Sequence, residues 1–130
     1  MNIYCCGCSK YVKAILTNGA ETYPHRKDLA ELPFWKCRHC NNFVGCHHKT
    51  KNRTRPLGFI PTPELKNARK HIHMILDPLW KEQNYSRKEI YRSLTDSLGY
   101  KYHTAKIKNI QQARIVYRLI KKMYYHNNTI

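Results

Sequence analysis

The chain has 130 residues, 42% of them hydrophobic and 25% charged, and its 24 Lys and Arg against 8 Asp and Glu give a formal net charge of +16. That length holds one compact unit, or a small metal-stapled lobe joined to a helical one, and excludes two full-sized independent cores. The opening Met-Asn-Ile-Tyr-Cys-Cys lacks a basic segment followed by an apolar one, and no apolar run nears the roughly 20 residues that cross a bilayer, so a soluble, cytoplasmic protein with no membrane partner is expected.

From the N-terminus, the chain reads as short β segments around two Cys-x-x-Cys pairs, Cys5 with Cys8 and Cys37 with Cys40. Tyr11 to Leu16 is apolar-rich, Asn18-Gly19 carries a hairpin-turn signal, and Glu21 to Tyr23 is expected to return as a strand. Phe34 to Lys36 and Asn42 to Val44 flank the second cysteine pair, with a polar loop from Tyr23 to Pro33 before them. This pattern predicts a zinc ribbon. Residues 47–58 are polar and basic and end in Arg55-Pro56-Leu57-Gly58, which predicts a connector and a boundary near residue 60.

Thr62-Pro63-Glu64 supplies a capping hydroxyl, a proline at the first helical position and an acid in the first turn. Leu65, Ala68, Ile72, Ile75, Leu76 and Leu79 then recur at helical spacing, and Pro78 is expected to kink or end this helix. Ser86 to Glu89 is a capping box; Ile90, Leu94 and Leu98 form a stripe, and Gly99 is placed to terminate it. A last helix is predicted from Asn109 to Tyr124, with Ile110, Ala113, Tyr117, Ile120 and Tyr124 on one side and Gln111, Arg114, Arg118, Lys121 and Tyr125 on the next. The expected class is α+β. A small zinc-ribbon β lobe with its basic connector (1–60) is followed by a basic C-terminal three-helix segment packed on it (61–130).

Thiolates suit zinc, and two such pairs bring four sulfurs to a tetrahedral site. Cys5, Cys8, Cys37 and Cys40 are therefore the predicted ligands of one structural Zn2+, whose closed shell argues against zinc catalysis. The six cysteines also permit three disulfides, but the short spacing favours a metal. Cys6, adjacent to a ligand, is left out. Cys46, His47 and His48 offer an alternative fourth ligand or a second site; the competing reading makes Cys46 a buried small residue and the histidines surface groups.

The charge is segregated. Residues 49–70 carry seven basic groups and one acidic, residues 101–130 carry seven and none, and residues 71–100 balance at four each. Two basic blocks around a neutral stretch suggest a polyanion, because clustered cations release counterions from nucleic acid; solubility or an acidic protein surface is the blander account. The candidate phosphate contacts are Lys49, Lys51, Arg53 and Arg55 in the connector and Arg114, Arg118 and Lys121 on the last helix, the two sets acting together if the helices fold back on the ribbon. Lys10, Lys13, Lys36 and Arg38 add cations on the ribbon. Tyr11 is a candidate for base stacking, while Phe34 and Trp35 suit core packing better. A loose helix-turn-helix reading of the last two helices is weakened by the long segment from Tyr100 to Lys108.

A nuclease is a further alternative, through His25, Arg26, Lys27 and Asp28 with His47 and His48 near them. Carboxylates are few, no Gly-rich phosphate loop is present and no His-Glu-x-x-His helix occurs, so no catalytic residue is assigned. His25 and Asp28 are instead expected to order their loop.

Several short strings occur together: Tyr4-Cys5-x-x-Cys8, Tyr23-Pro24-His25-Arg26-x-Asp28-Leu29, Phe34-Trp35-x-Cys37-x-x-Cys40, Val44-Gly45-Cys46-His47, Arg55-Pro56-Leu57-Gly58, Asp77-Pro78-Leu79-Trp80 and Ser86-Arg87-Lys88-Glu89. In this the chain, over roughly residues 4 to 120, resembles a family of zinc-finger-containing proteins encoded mostly by bacteriophages and prophages. The resemblance implies the four-cysteine zinc site and the cytoplasm of a bacterial host cell, and it brings no activity with it. The tail from 101 to 130 is more basic than that family's pattern. A phage setting also makes a second reading available, a protein-binding factor that inhibits or redirects a host defence or transcription complex, alone or as a nucleoprotein.

Overall fold

A computed structural model describes residues 1–82 and 85–128, with side chains over 1–81 and 85–123. The side chains of Tyr124 and Tyr125, assigned above to the last helix, lie outside the described residues. The chain forms two compact units, Met1–Pro63 and Glu64–Ile130.

The first unit is built from two small antiparallel sheets. Strands β1 (Asn2–Cys5) and β2 (Lys10–Lys13) form a hairpin in which Ile3 faces Val12 and Tyr4 faces Tyr11. Strands β3 (Ile15–Asn18), β4 (Pro33–Lys36) and β5 (Phe43–Gly45) make a second sheet in the order β3-β4-β5. The segment Tyr11 to Leu16 is thus two strands in different sheets. The break falls at Ala14, which is buried and donates its N–H to the Met1 carbonyl at 3.0 Å.

Asn18-Gly19 does not turn a hairpin, and Glu21 to Tyr23 is not a strand. The Asn18 side chain accepts from the Glu21 N–H and starts a single helical turn, α1 (Gly19–Thr22). Asx capping wins over turn chemistry here because the chain must go on to a short 3-10 turn at Lys27–Leu29 before it can pair as β4. Gly19 is required for a different reason from the expected one: a Cβ there would lie 1.8 Å from the Leu29 carbonyl oxygen.

A seven-residue core of Ile3, Cys5, Val12, Ala14, Cys37, Val44 and Ile60 fills this lobe. The supposed connector is knitted into it. His47 N–H donates to the Arg55 carbonyl and Leu57 N–H to that of Gly45, so residues 48–54 are a loop returning to the ribbon. Beyond it, Ile60 docks on the free edge of β1, exchanging backbone bonds with Tyr4 and Cys6. With little apolar material available, these added backbone bonds keep edge groups of the sheet from lying unpaired.

The second unit holds three long helices. Helix α2 (Pro63–Glu82) buries Leu65, Ile72, Leu76 and Leu79. It neither ends nor breaks before Pro78. The carbonyl that loses its partner belongs to Met74, whose side chain is exposed, so this face of the helix is open to solvent. Arg69, on the buried side, donates to the Ile107 carbonyl at 2.6 Å. Helix α3 (Arg87–Leu98) starts at Ser86, whose hydroxyl accepts from Glu89 N–H, and ends at Gly99 with φ 81°. Helix α4 (Ile110–Asn128) starts where Asn109 accepts from the Gln112 N–H, and it packs against α3. Val116, missed in the sequence stripe, is buried with Ala113 and Ile120. The segment from Tyr100 to Lys108 is not a slack linker: Tyr102, Thr104 and Ile107 are buried, and the Tyr102 and Thr104 hydroxyls share a 2.6 Å hydrogen bond.

Candidate metal centre

Each Cys-x-x-Cys pair occupies the tip of a hairpin. Cys5 closes β1 and Cys8 follows in the turn to β2; Cys37 follows β4, and Cys40 precedes the return to β5. The residue after each second cysteine, Ser9 and Asn41, has a positive φ of 55° and 63°. That left-handed step swings the chain back toward its own strand, and Asn tolerates it best among residues with a Cβ. Backbone bonds then fix the second loop: Asn41 N–H donates to the Cys37 carbonyl at 3.0 Å and Cys37 N–H to that of Asn42 at 2.9 Å. Gly7 lets the two loops approach. A Cβ there would sit 2.9 Å from the Asn42 amide nitrogen and 3.4 Å from the Cys40 sulfur.

The four sulfurs of Cys5, Cys8, Cys37 and Cys40 lie within 4.8 Å of one another. Cys5 and Cys40 are 3.4 Å apart, and Cys8 and Cys37 are 3.7 Å apart. A tetrahedron with Zn–S bonds of about 2.3 Å has edges of about 3.8 Å, so the spacing suits one ion at the centre. Sulfurs about 2.05 Å apart would be needed for a disulfide, and all six cysteines are free.

The acid-base properties of the cluster show the strain of holding four thiols together. Burial, and then the thiols of Cys40, Cys37 and Cys8, push Cys5 far above the ordinary thiol range, with only a backbone bond at Cys8 opposing. Cys8 is also raised, by desolvation and by Cys37. Burial works against the Cys37 thiolate too, but donors at Cys40, His39 and Cys8 outweigh it and bring this thiol down to about 7. A divalent cation resolves the conflict, because it stabilises every thiolate at once.

The family described as a zinc-finger-containing domain, DUF3268, matches residues 1–124. The chain belongs to that family. No curated protein and no solved structure matches it. The centre of this zinc-finger-containing protein fits one structural zinc ion, held by four protein sulfurs with no position left for a substrate. Its protein-side chemistry is that of a staple: Cys5 and Cys37 are themselves core residues, so the ligand shell and the apolar core are one object.

The remaining candidates fall elsewhere. Among the described residues, Cys6, Cys46, His47 and His48 are not part of the cluster. Cys46 is 4% exposed, burial raises its thiol, and His48 Nδ1 lies 3.3 Å from its carbonyl oxygen. In the loop read as a possible nuclease site, the Arg26 guanidinium grips the exposed Asp28 carboxylate at 2.7 and 2.9 Å and holds it below the usual carboxylate range. His25 is exposed nearby.

Lys49, Lys51, Arg53 and Arg55 are all exposed in the loop pinned at His47 and Arg55, and Arg53 Nε braces it through the His48 carbonyl at 3.4 Å. In the second unit, Arg114 and Arg118 are exposed one turn apart, and Lys121 is half-buried with its ammonium 5.5 Å from the Tyr117 ring centre. Of the aromatic residues, Phe34 is buried against Tyr23 and Phe43, and the Trp35 indole donates to the Thr54 carbonyl, so both serve packing. Tyr11 is 63% exposed. Sequence reasoning missed Tyr4 and Phe59 beside it. The period of two from buried Ile3 and Cys5 marks Tyr4 as outward-facing; for Phe59 no local signal existed before Ile60 was known to join the sheet.

Among the described residues, no helix is long and apolar enough to cross a membrane.

Proposed function

We propose that this zinc-ribbon protein binds nucleic acid, using the metal-stapled lobe as a rigid platform and exposed cations as phosphate contacts. The supporting observation is the loop carrying Lys49, Lys51, Arg53 and Arg55. All four side chains are exposed, the loop is fixed at both ends by backbone bonds, and no acidic residue occurs between Leu32 and Pro63. A solvated linker would gain nothing from being so anchored, whereas a phosphate-binding loop gains from cations that are already positioned. In the second unit the stripe of Arg114, Arg118 and Lys121 is the matching surface, on a segment with no acid from Lys101 to the end. The role is binding without catalysis. The phage and prophage character of the family it resembles suggests viral or host nucleic acid as the partner.

The test is the affinity for fluorescently labelled DNA and RNA oligonucleotides at several salt concentrations. On duplex DNA each neutralised phosphate contributes about −0.9 to the slope of log K against log salt. Lys51→Ala with Arg55→Ala, chosen to leave the bracing Arg53 in place, flattens the slope by about one to two units; so does Arg114→Ala with Arg118→Ala. A flat salt dependence in the wild type, or unchanged binding in both double variants, refutes the proposal and turns attention to a protein partner.

A further inference from the structure

The outer face of the β1–β2 hairpin carries a feature that phosphate contacts do not use. Ile3 and Val12 oppose each other and are buried, so their neighbours Tyr4 and Tyr11, also opposite each other, face outward. Ile60, buried on the far edge of β1, turns Phe59 to the same outer side. Three rings on three adjacent chain segments therefore meet, with centroids 5.4 Å apart for Tyr4–Tyr11, 5.2 Å for Tyr4–Phe59 and 6.4 Å for Tyr11–Phe59.

We infer that Tyr4, Tyr11 and Phe59 form a stacking platform for unpaired bases, so that the preferred ligand is single-stranded nucleic acid. This rests on the nucleic-acid reading above and specifies it. A lobe this short of core would gain about 1.5–3 kcal/mol by burying a ring, yet Tyr11 stays 63% exposed. Its edge-on packing against Tyr4 and Phe59 holds it in place, so little ordering is left to do on binding.

The surrounding charge selects the class of partner. Residues 1–20 and 32–63 contain no Asp or Glu, and the lobe's three acids all lie between them, where Asp28 is paired with Arg26 and Glu21 lies 3.6 Å from Lys36. Lys13, two residues beyond Tyr11 on β2, shares its face. Arg55, at the end of the basic loop, precedes Phe59 by four residues and so lies within a chain length of at most about 14 Å of the platform. Aromatic rings beside a row of cations fit an extended strand, with bases on the rings and phosphates on Lys and Arg. In a duplex the base faces are already stacked, and the rings gain nothing.

The experiment compares a labelled twelve-nucleotide (dT) or (rU) strand with a duplex of the same length, using wild type, Tyr11→Ala, Tyr11→Phe and the Lys51→Ala, Arg55→Ala double variant. The single strands bind more tightly than the duplex. Tyr11→Ala keeps its zinc and its circular dichroism, loses roughly tenfold or more in single-strand affinity and keeps the salt slope, because a ring releases no counterions. Tyr11→Phe binds as wild type. On adding (dT), the ring proton resonances of Tyr11 shift upfield.

If Tyr11→Ala binds the single strand as wild type while the Lys51, Arg55 variant still flattens the slope, the platform is wrong and nucleic-acid binding stands. Equal or tighter binding of the duplex also overturns the platform. So does a dimer that Tyr11→Ala converts to a monomer without changing oligonucleotide affinity, since the rings then serve a second copy of the chain. Absence of binding to any oligonucleotide overturns both readings.

Discussion

Replacing Cys37 by serine removes one of four sulfurs and, with it, a member of the lobe's core. Full burial of a Val or Ile side chain contributes about 1.5–3 kcal/mol, so Ile3, Val12, Val44 and Ile60 together contribute about 6–12 kcal/mol. Zinc binding at comparable structural sites supplies about 10–16 kcal/mol near neutral pH. The metal is therefore worth about as much as these four side chains together, and the lobe is expected to unfold on its loss. In Cys37→Ser the zinc content falls below about half an equivalent after dialysis, and the dispersed amide resonances of residues 1–63 collapse. The paired control is Cys46→Ala, which removes a thiol just as buried but outside the cluster; it keeps a full equivalent of zinc at a cost of about 1 kcal/mol. Metal analysis and two-dimensional NMR on the two proteins decide the matter. A folded, zinc-loaded Cys37→Ser, or equal metal loss in Cys46→Ala, refutes the reasoning.

Acidification should strip the metal, because protons compete with zinc for sulfur. The Cys37 thiol is lowered to about 7 by donors at Cys40, His39 and Cys8, so it is the ligand most readily ionised when zinc arrives. Cys5 and Cys8 are raised and need the metal to ionise, so zinc loading at neutral pH releases protons and zinc occupancy declines as pH is lowered toward about 5, followed with a chelating dye. Gly19→Ala places a methyl on the Leu29 carbonyl oxygen, 1.8 Å away, and destabilises the lobe by about 3 kcal/mol or more in denaturant unfolding; a shift under about 1 kcal/mol contradicts the close approach.

The sequence by itself determined the chemistry that depends on local spacing. Two Cys-x-x-Cys pairs, each with a strand on both sides, are enough to place four sulfurs on two hairpin tips, and the reading of a closed zinc site needed no tertiary information. Ser86 and Gly99 marked the ends of α3 for the same reason, since a cap is satisfied within its own turn. Tertiary structure decided everything that involves a choice of partner. Whether β3 returns through Glu21 or pairs with Pro33–Lys36 turns on an Asn18 cap and on room for the Leu29 carbonyl, and neither is a property of the Asn-Gly pair alone. Pro78 remains in its helix with Met74, one turn before it, on the exposed face, a matter of orientation rather than of residue type. The basic connector becomes an anchored loop, and Phe59 joins Tyr4 and Tyr11, only because Ile60 finds the open edge of β1 some 55 residues earlier in the chain. Hydrogen bonding between distant backbone edges leaves no periodicity in either segment, so those contacts could not be read before the fold was known.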